Sequence, residues 1–160
     1  MKPSQELFKS AWRNFPTGVS IVTTQTSDGG HYATTANAVM SVSLDPLLVL
    51  VSLSSNGKTS ASVKNSGCFG LNFLNKNQAD LGNYYGRSSS DKREILPDNV
   101  RVHSSGVALL EDALSIMVCN VIKDVVAGDH TLFIGEVIDI ENREGESLIF
   151  YKGEYRTFGI

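Results

Sequence analysis

Residues 40–53 read MSVSLDPLLVLVSL and carry the strongest secondary-structure signal in the chain. Two runs rich in Val, Leu and Ser, at 40–44 and 47–53, are separated by Asp45-Pro46. Proline cannot donate a backbone hydrogen bond to a sheet and the Asp-Pro pair favours a turn, so the pattern predicts two strands joined by a turn. Because the second run is apolar on both faces, we expect it in the interior of a sheet.

Further strands are predicted on both sides of this pair. β-Branched residues dominate 19–24, and Asp28-Gly29-Gly30 is typical of a hairpin turn that leads into a second strand at about 31–35. Downstream, strands are predicted at 68–74, 114–119, 132–140, 148–151 and 155–158. Alternation in the third of these segments predicts one shared apolar face, interrupted only by Glu136, for Leu132, Ile134, Ile138 and Ile140.

Three short helices are predicted, from Ser4 to about Asn14 and at 59–65 and 78–85. About eight strands with no long helix between them indicate a mainly β chain with an antiparallel sheet. A closed or nearly closed barrel would remove the exposed strand edges, so we expect an antiparallel β-barrel with a few short helices. Residues 86–99 are polar and are predicted to form a poorly ordered surface loop.

The composition is that of one globular domain over residues 1–160, with 41% hydrophobic and 19% charged residues. The net charge of −3 does not favour phosphate backbones or anionic lipid, so no nucleic acid or membrane partner is expected. No apolar run approaches the roughly 20 residues that span a bilayer, and no signal peptide is recognisable, so we expect a cytoplasmic location. Cys68 and Cys119 lie in apolar stretches and are predicted to be buried, unpaired thiols.

Asn56-Gly57-Lys58-Thr59 contains the GKT of a phosphate-binding P-loop, but Ser52 replaces the glycine that the full motif requires. The motif therefore does not predict nucleotide hydrolysis. A helix start with a lysine and nearby hydroxyls, among them Ser54, still suits a phosphate ester. A plain capped helix on the surface would give the same sequence.

Residues 33–38, ATTANA, combine small side chains with hydroxyls and one amide. A flat ligand can lie against such a backbone, and the Asn37 amide can both donate and accept hydrogen bonds. A strand edge that uses small residues for close packing explains the same pattern, and locally it is the better interpretation.

None of the three histidines has other ligands at metal-binding spacing, so zinc is not expected. His130 differs from the other two because Gly128-Asp129 predicts a turn that places it at a strand end, where Asp129 could order the loop. A turn histidine without a role would look the same. G-x-S-x-G and G-x-G-x-x-G are both absent, so neither that class of serine nucleophile nor a Rossmann dinucleotide fold is predicted.

Five motifs occur together in the chain: Phe15-Pro16-Thr17-Gly18-Val19, Thr35-Ala36-Asn37-Ala38, Ser41-Val42-Ser43-Leu44-Asp45-Pro46, Gly128-Asp129-His130 with Ile134-Gly135-Glu136-Val137, and residues 148–155. In this order they resemble the short-chain flavin reductase family, the reductase partners of two-component flavin monooxygenases, over about residues 8–155. The resemblance implies an FMN-binding split barrel, usually a homodimer. It also implies hydride transfer from NADH or NADPH to FMN or FAD, with reduced flavin supplied to a partner monooxygenase.

The resemblance also implies roles for individual residues. Flavin contacts fall on Thr35, Ala36, Asn37, Ala38 and Ser41. The ribityl and phosphate parts fall on Ser52, Leu53, Ser54, Lys58 and Thr59, and Arg87 is a further candidate for the phosphate. The nicotinamide side falls on Gly128, Asp129 and His130, with Tyr155 nearby.

The chain departs from the family at Lys92-Arg93-Glu94, where an aromatic residue often follows the lysine, and at Tyr85, where Phe is usual. Two alternatives to a flavin reductase stay open: a flavin-binding carrier or storage protein, and a reductase of a metal chelate that acts through flavin. The sequence chooses neither between FMN and FAD nor between NADH and NADPH.

Overall fold

The computed structural model describes residues 2–87 and 99–158. Within these ranges the chain forms three helices, α1 (Gln5–Trp12), α2 (Lys58–Ser66) and α3 (Ala79–Gly86), as predicted to within about two residues. The Ser4 hydroxyl caps α1 by accepting the Leu7 N–H at 3.2 Å. Most of the loop predicted at 86–99, including Lys92-Arg93-Glu94, lies outside the described residues.

Twelve strands are present in the described ranges. They are β1 (Thr17–Gly18), β2 (Ser20–Gln25), β3 (His31–Ala36), β4 (Val39–Leu44), β5 (Leu47–Ser54), β6 (Cys68–Phe73), β7 (Val100–Val102), β8 (Ala108–Leu110), β9 (Ser115–Ala127), β10 (His130–Asn142), β11 (Ile149–Tyr151) and β12 (Glu154–Arg156). Every strand predicted from the sequence is present. The short β1, β7 and β8 were not predicted, because, unlike the equally short β11 and β12, they contain no aromatic residues that favour a strand.

Seven strands form one antiparallel sheet in the order β3-β2-β6-β9-β10-β5-β4. Its first and last strands are consecutive in the chain, and only Asn37 and Ala38 separate them. The Ser52 N–H donates to the Ala38 carbonyl at 2.9 Å, which continues the β4–β5 pairing up to this two-residue link with β3. The two ends of the sheet therefore meet, which confirms the predicted antiparallel barrel.

Two apolar clusters hold this sheet together. Val22, Val51, Phe69 and Phe133 are fully buried in the first cluster, which also takes in Val63 of α2. The second cluster covers other faces of β2, β6 and β9 and packs them against β8, α3 and the small β1-β11-β12 sheet. The barrel strands near the chain's predicted site are thus supported from both sides.

The apolar face predicted on β10 exists, but it does not point into the core. The buried residues of β10 are Thr131, Phe133 and Gly135, whereas Ile138 and Ile140 are each 47% exposed. Alternation reveals that a strand has two faces but not which one is covered. β5 lies between β10 and β4, as expected, with one face buried and the other half-buried.

Candidate functional site

A cleft of about 290 Å³ opens where β3, α3 and the β11–β12 hairpin meet. Four of the predicted site residues line it, namely Thr35, Asn37, Arg87 and Tyr155. Its other lining residues were not predicted: Val19, Asn83, Gly86 and Phe150. Two amides, a hydroxyl, a phenol and a guanidinium thus face one space with apolar walls, which is the composition of a small-molecule site.

Close contacts between α3 and its neighbours fix the shape of this cleft. The Thr35 hydroxyl donates to the Gly82 carbonyl at 2.7 Å and ties β3 to α3. A Cβ atom on Gly82 would lie 2.8 Å from the Tyr155 Oη, so glycine is required for the ring to approach the helix. Phe150 packs edge-on against Tyr155 at 5.6 Å between ring centroids. Burial raises the pKa of Tyr155, so its phenol stays protonated and can donate a hydrogen bond.

A second group of predicted residues comes together at the end of β5. Antiparallel pairing places His130 opposite Ser54 and Leu132 opposite Ser52. The segment expected to cradle a phosphate and the histidine expected to contact nicotinamide are therefore neighbours, although 76 positions separate Ser54 from its partner in the chain. Leu53 is buried, so only its backbone is available to a ligand.

The turn before β10 presents His130 in a defined way. Gly128 has φ +66°, a conformation that glycine adopts without strain. The Asp129 carboxylate lies 2.8 Å from Nδ1 of His130, and this hydrogen bond, with the charge of the ring, lowers the pKa of Asp129. The contact occupies Nδ1 and leaves Nε2 for another partner.

The start of α2 lies beside this turn. Gly57 is the N-cap residue and supplies no side-chain hydrogen bond, while Thr59 is buried in the first turn. The Lys58 ammonium lies 5.9 Å from the centroid of the Tyr32 ring, within the range of a cation–π contact. Tyr32 was not predicted, because only the fold brings β3 and α2 together.

The two groups adjoin each other at the connection between β3 and β4. Asn37 lines the cleft, and the next residue, Ala38, accepts the Ser52 hydrogen bond from β5. Ala36 is buried, so its side chain packs in the core and only its backbone could contact a ligand. Ser41 is exposed on β4 opposite Val49, farther along the strand.

Tyr155 and His130 belong to different groups. Tyr155 lines the cleft, whereas His130 is not among the residues that line it. That Tyr155 lies near His130 therefore stays a prediction.

The sequence profile of the family described as "Flavin reductase like domain" matches residues 12–159. The chain belongs to this family. Similar proteins include an NADH-dependent flavin reductase from a Rhodococcus species, which is 39% identical over 156 residues; the match covers 95% of this chain and 85% of the relative. The reductase component of a 4-nitrophenol 4-monooxygenase/4-nitrocatechol 2-monooxygenase from Rhodococcus opacus is 32% identical, with coverage of 96% and 83%.

A solved structure supports the same membership. Flavin reductase PheA2 in its native state is 36% identical to this flavin reductase-family chain and superposes with a TM-score of 0.86; the match covers 99% of this chain and 100% of that one. In residues 2–87 and 99–158, no helix has the length and apolarity needed to cross a membrane. The same part of the chain contains no cluster of three or more His, Cys, Asp or Glu that could hold a metal ion.

Proposed function

We propose that this member of the flavin reductase family is an NADH:flavin oxidoreductase that uses FMN or FAD. The observation that carries the proposal is the series of contacts that links the cleft at Asn37, through the Ala38–Ser52 hydrogen bond and the end of β5, to the His130 turn opposite Ser54. We propose NADH and not NADPH as the hydride donor, because the Rhodococcus relative is an NADH-dependent flavin reductase. Flavin, when bound, supplies the hydride-accepting ring, so the protein needs no acid–base pair of its own for that transfer.

The residues present fit a flavin. Thr35 and Asn37 line one side of the cleft with small polar side chains, and the Asn37 amide can pair with a ring that both donates and accepts. At the other end, Lys58, the exposed Ser54 and the α2 N-terminus form a cationic, hydroxyl-bearing corner for a phosphate, while the buried Thr59 is assigned only a backbone contact. We assign the ring to the first region and the phosphate to the second.

His130 is assigned to the nicotinamide. Its Nδ1 is held by Asp129, so the ring orientation is set before NADH arrives and Nε2 can donate to or accept from the carboxamide. Arg87 lines the cleft that is assigned to the flavin ring, so we assign its guanidinium, which can bind two oxygens at once, to a phosphate of NADH and not to the flavin phosphate at α2.

Anaerobic reduction tests this function. The purified protein is mixed with FMN, FAD or neither, and NADH or NADPH is added while the oxidised flavin band near about 450 nm is followed. Bleaching within seconds by NADH supports the reductase. A protein that binds flavin but leaves the band unchanged would instead be a carrier or storage protein, and failure to bind either flavin would contradict the proposal.

We also propose that the protein is a homodimer. Large apolar side chains remain exposed on neighbouring strands of the barrel: Met40, Val42 and Leu44 on β4, Leu47 on β5, Ile122, Val125 and Val126 on β9, and Ile138 and Ile140 on β10. Soluble monomers rarely expose this many large apolar groups on adjoining elements. A two-fold pairing of identical faces would cover those that point to the same side of the sheet, such as Ile138 and Ile140.

The reduced flavin is proposed to serve a partner monooxygenase, because the Rhodococcus opacus relative is the reductase component of such a system. Both cysteines are unpaired and buried, which fits a reducing compartment, and we propose that the protein works in the cytoplasm. Turnover of many equivalents of added flavin per chain would support its release to a second enzyme.

A further inference from the structure

Ser55, which follows β5, holds the residues on both sides of His130. Its backbone N–H donates to the Asp129 carbonyl at 3.0 Å. Its hydroxyl lies 2.9 Å from the Thr131 hydroxyl. The residues directly before and after His130 are therefore both hydrogen-bonded to Ser55.

The environment of Thr131 makes the hydroxyl pair informative. Thr131 is only 5% exposed and shares the buried face of β10 with Phe133, a position at which an apolar side chain would normally be found. A buried hydroxyl is stable there only if it is hydrogen-bonded, and Ser55 supplies the bond. Because Thr131 is buried and Ser55 is half-buried, the pair is partly shielded from competing water and can hold the strand end more firmly than a fully exposed contact.

We infer that Ser55 and Thr131 are positioning residues that hold the His130 turn in the orientation needed for NADH. This inference rests on the proposed function, in which His130 contacts nicotinamide. Ser55 directly follows Ser54, in the segment assigned to the flavin phosphate. The same serine thus connects the flavin-binding segment to the nicotinamide-binding turn, and it sets where one cofactor lies relative to the other.

Two substitutions and one matched control test the inference. Thr131→Val keeps the shape of the side chain but removes the hydroxyl, Ser55→Ala removes the other partner, and Thr131→Ser retains a hydroxyl. We expect Thr131→Val and Ser55→Ala to raise the KM for NADH roughly threefold to tenfold, the loss that one hydrogen bond brings, while the Kd for flavin changes less than about twofold. Thr131→Ser should stay close to the wild type.

A double substitution shows whether the effect passes through His130. If Thr131 acts by positioning that ring, adding Thr131→Val to His130→Ala should raise the KM for NADH no further. An equal increase in both backgrounds, an unchanged KM in the single variants, or an equal loss of flavin affinity would each overturn the inference.

Proton NMR of the protein without cofactors gives a readout that does not depend on turnover. The imidazole signal that disappears in His130→Ala belongs to His130, and Thr131→Val should shift or broaden it while the signals of His31 and His103 stay in place. Unmoved His130 signals, or loss of the fold in both Thr131→Val and Ser55→Ala, would contradict a positioning role. Wild-type reduction by NADH is measured in parallel; its absence would reject the proposed function, whereas an active wild type with unaffected variants would reject only this inference.

Discussion

Asp129 and His130 show how two adjacent side chains can define one binding group. The carboxylate accepts from Nδ1 across 2.8 Å and lies at a turn whose backbone is fixed by Gly128 and Ser55. With Nδ1 donating to Asp129, Nε2 is the ring nitrogen that remains to meet a ligand. This residue pair is therefore the most direct place to separate nicotinamide binding from flavin binding.

Replacing His130 with alanine should weaken NADH use and spare flavin binding. The KM for NADH is expected to rise roughly tenfold, the effect of losing one oriented hydrogen bond and its contact surface, with the Kd for flavin within about twofold of the wild type. Steady-state reduction and flavin fluorescence titration measure the two quantities. His103, which is half-buried and lies beside Asp139 on β10, away from the end of β5, is the control: His103→Ala should change neither. Normal NADH kinetics in His130→Ala would remove the assignment.

The Asp129 pair should stabilise the fold at neutral pH and lose that effect in acid. Its hydrogen bond with His130 lowers the pKa of Asp129, so the folded protein binds fewer protons at this site than the unfolded chain does. The stabilisation is present above the unfolded value of about 3.9 and disappears as the pH falls through the lowered folded value. Tm measured against pH for the wild type and Asp129→Asn should converge only in that acidic range; a difference that persists there would contradict this account.

Tyr32 should contribute to phosphate recognition through Lys58. The ring lies 5.9 Å from the ammonium and can restrain it near the start of α2. Tyr32→Leu is expected to reduce the preference for FMN over riboflavin about twofold to fivefold, whereas Tyr32→Phe keeps the aromatic face and should preserve it. Fluorescence titration with both flavins provides the ratio. If FMN and riboflavin affinities fall together, Tyr32 supports the fold and not the phosphate site.

At the scale of elements, close approach between strands limits which side chains β10 can carry. A Cβ atom on Gly135 would lie 2.7 Å from Cζ of Phe69 and 2.9 Å from the Cβ of Cys119, both fully buried. Neither neighbour can move without disturbing the packed cluster that includes them. Glycine at this position thus leaves room beside β10 for the buried Phe69 ring of β6 and the Cys119 side chain of β9.

Gly135→Ala should therefore destabilise the protein by about 1–3 kcal/mol, the usual cost of overpacking a core. Gly18→Ala is the control, because a Cβ atom there meets nothing within 4 Å, and it should change the free energy of unfolding by less than about 0.5 kcal/mol. Urea unfolding monitored by circular dichroism measures both. Equal stability of the two variants would mean that the barrel relaxes around the added methyl group.

The helices and strands were largely predictable from the sequence, whereas the contacts between them were not. The turn at Asp45-Pro46 and the strand at the β-branched run 19–24 are each indicated by local chemistry, and the structure confirms both. β1 could not be predicted, because Thr17 pairs with Phe150 and gains its strand conformation only from that distant partner. Asn83 enters the cleft for the same reason, since α3 reaches β3 only in the folded chain.

For the whole molecule, the sequence indicated the barrel but not its outer surface. The alternation of β10 was recognised, yet nothing local states that Ile138 and Ile140 face outward. Likewise the motifs predicted both groups of site residues, but their arrangement around Asn37-Ala38 depends on closure of the sheet. The outward-facing residues and the arrangement of the site depend on how the seven strands assemble, so local sequence patterns do not predict them.

The exposed apolar surface predicts a change of assembly state when it is made charged. Ile138→Lys combined with Ile140→Lys should convert a dimer into a species with the 17.3 kDa mass of one chain, because burying two ammonium groups at an apolar interface is unfavourable. Light scattering coupled to size exclusion measures the mass. Val102→Lys, which charges an exposed apolar position on β7, should leave the dimer intact; a wild type that is already monomeric would reject the dimer.

The two-residue link between β3 and β4 also constrains how the chain could vary in length. Most surface loops tolerate inserted residues at small entropic cost. Asn37 and Ala38 leave no room for an insertion, because these two residues alone connect the first and last strands of the sheet. In addition, the Ala38 carbonyl accepts a hydrogen bond from Ser52. A single extra residue here would displace the cleft from the His130 turn, so evolutionary insertions and engineered tags belong in other connections, such as the one between β2 and β3.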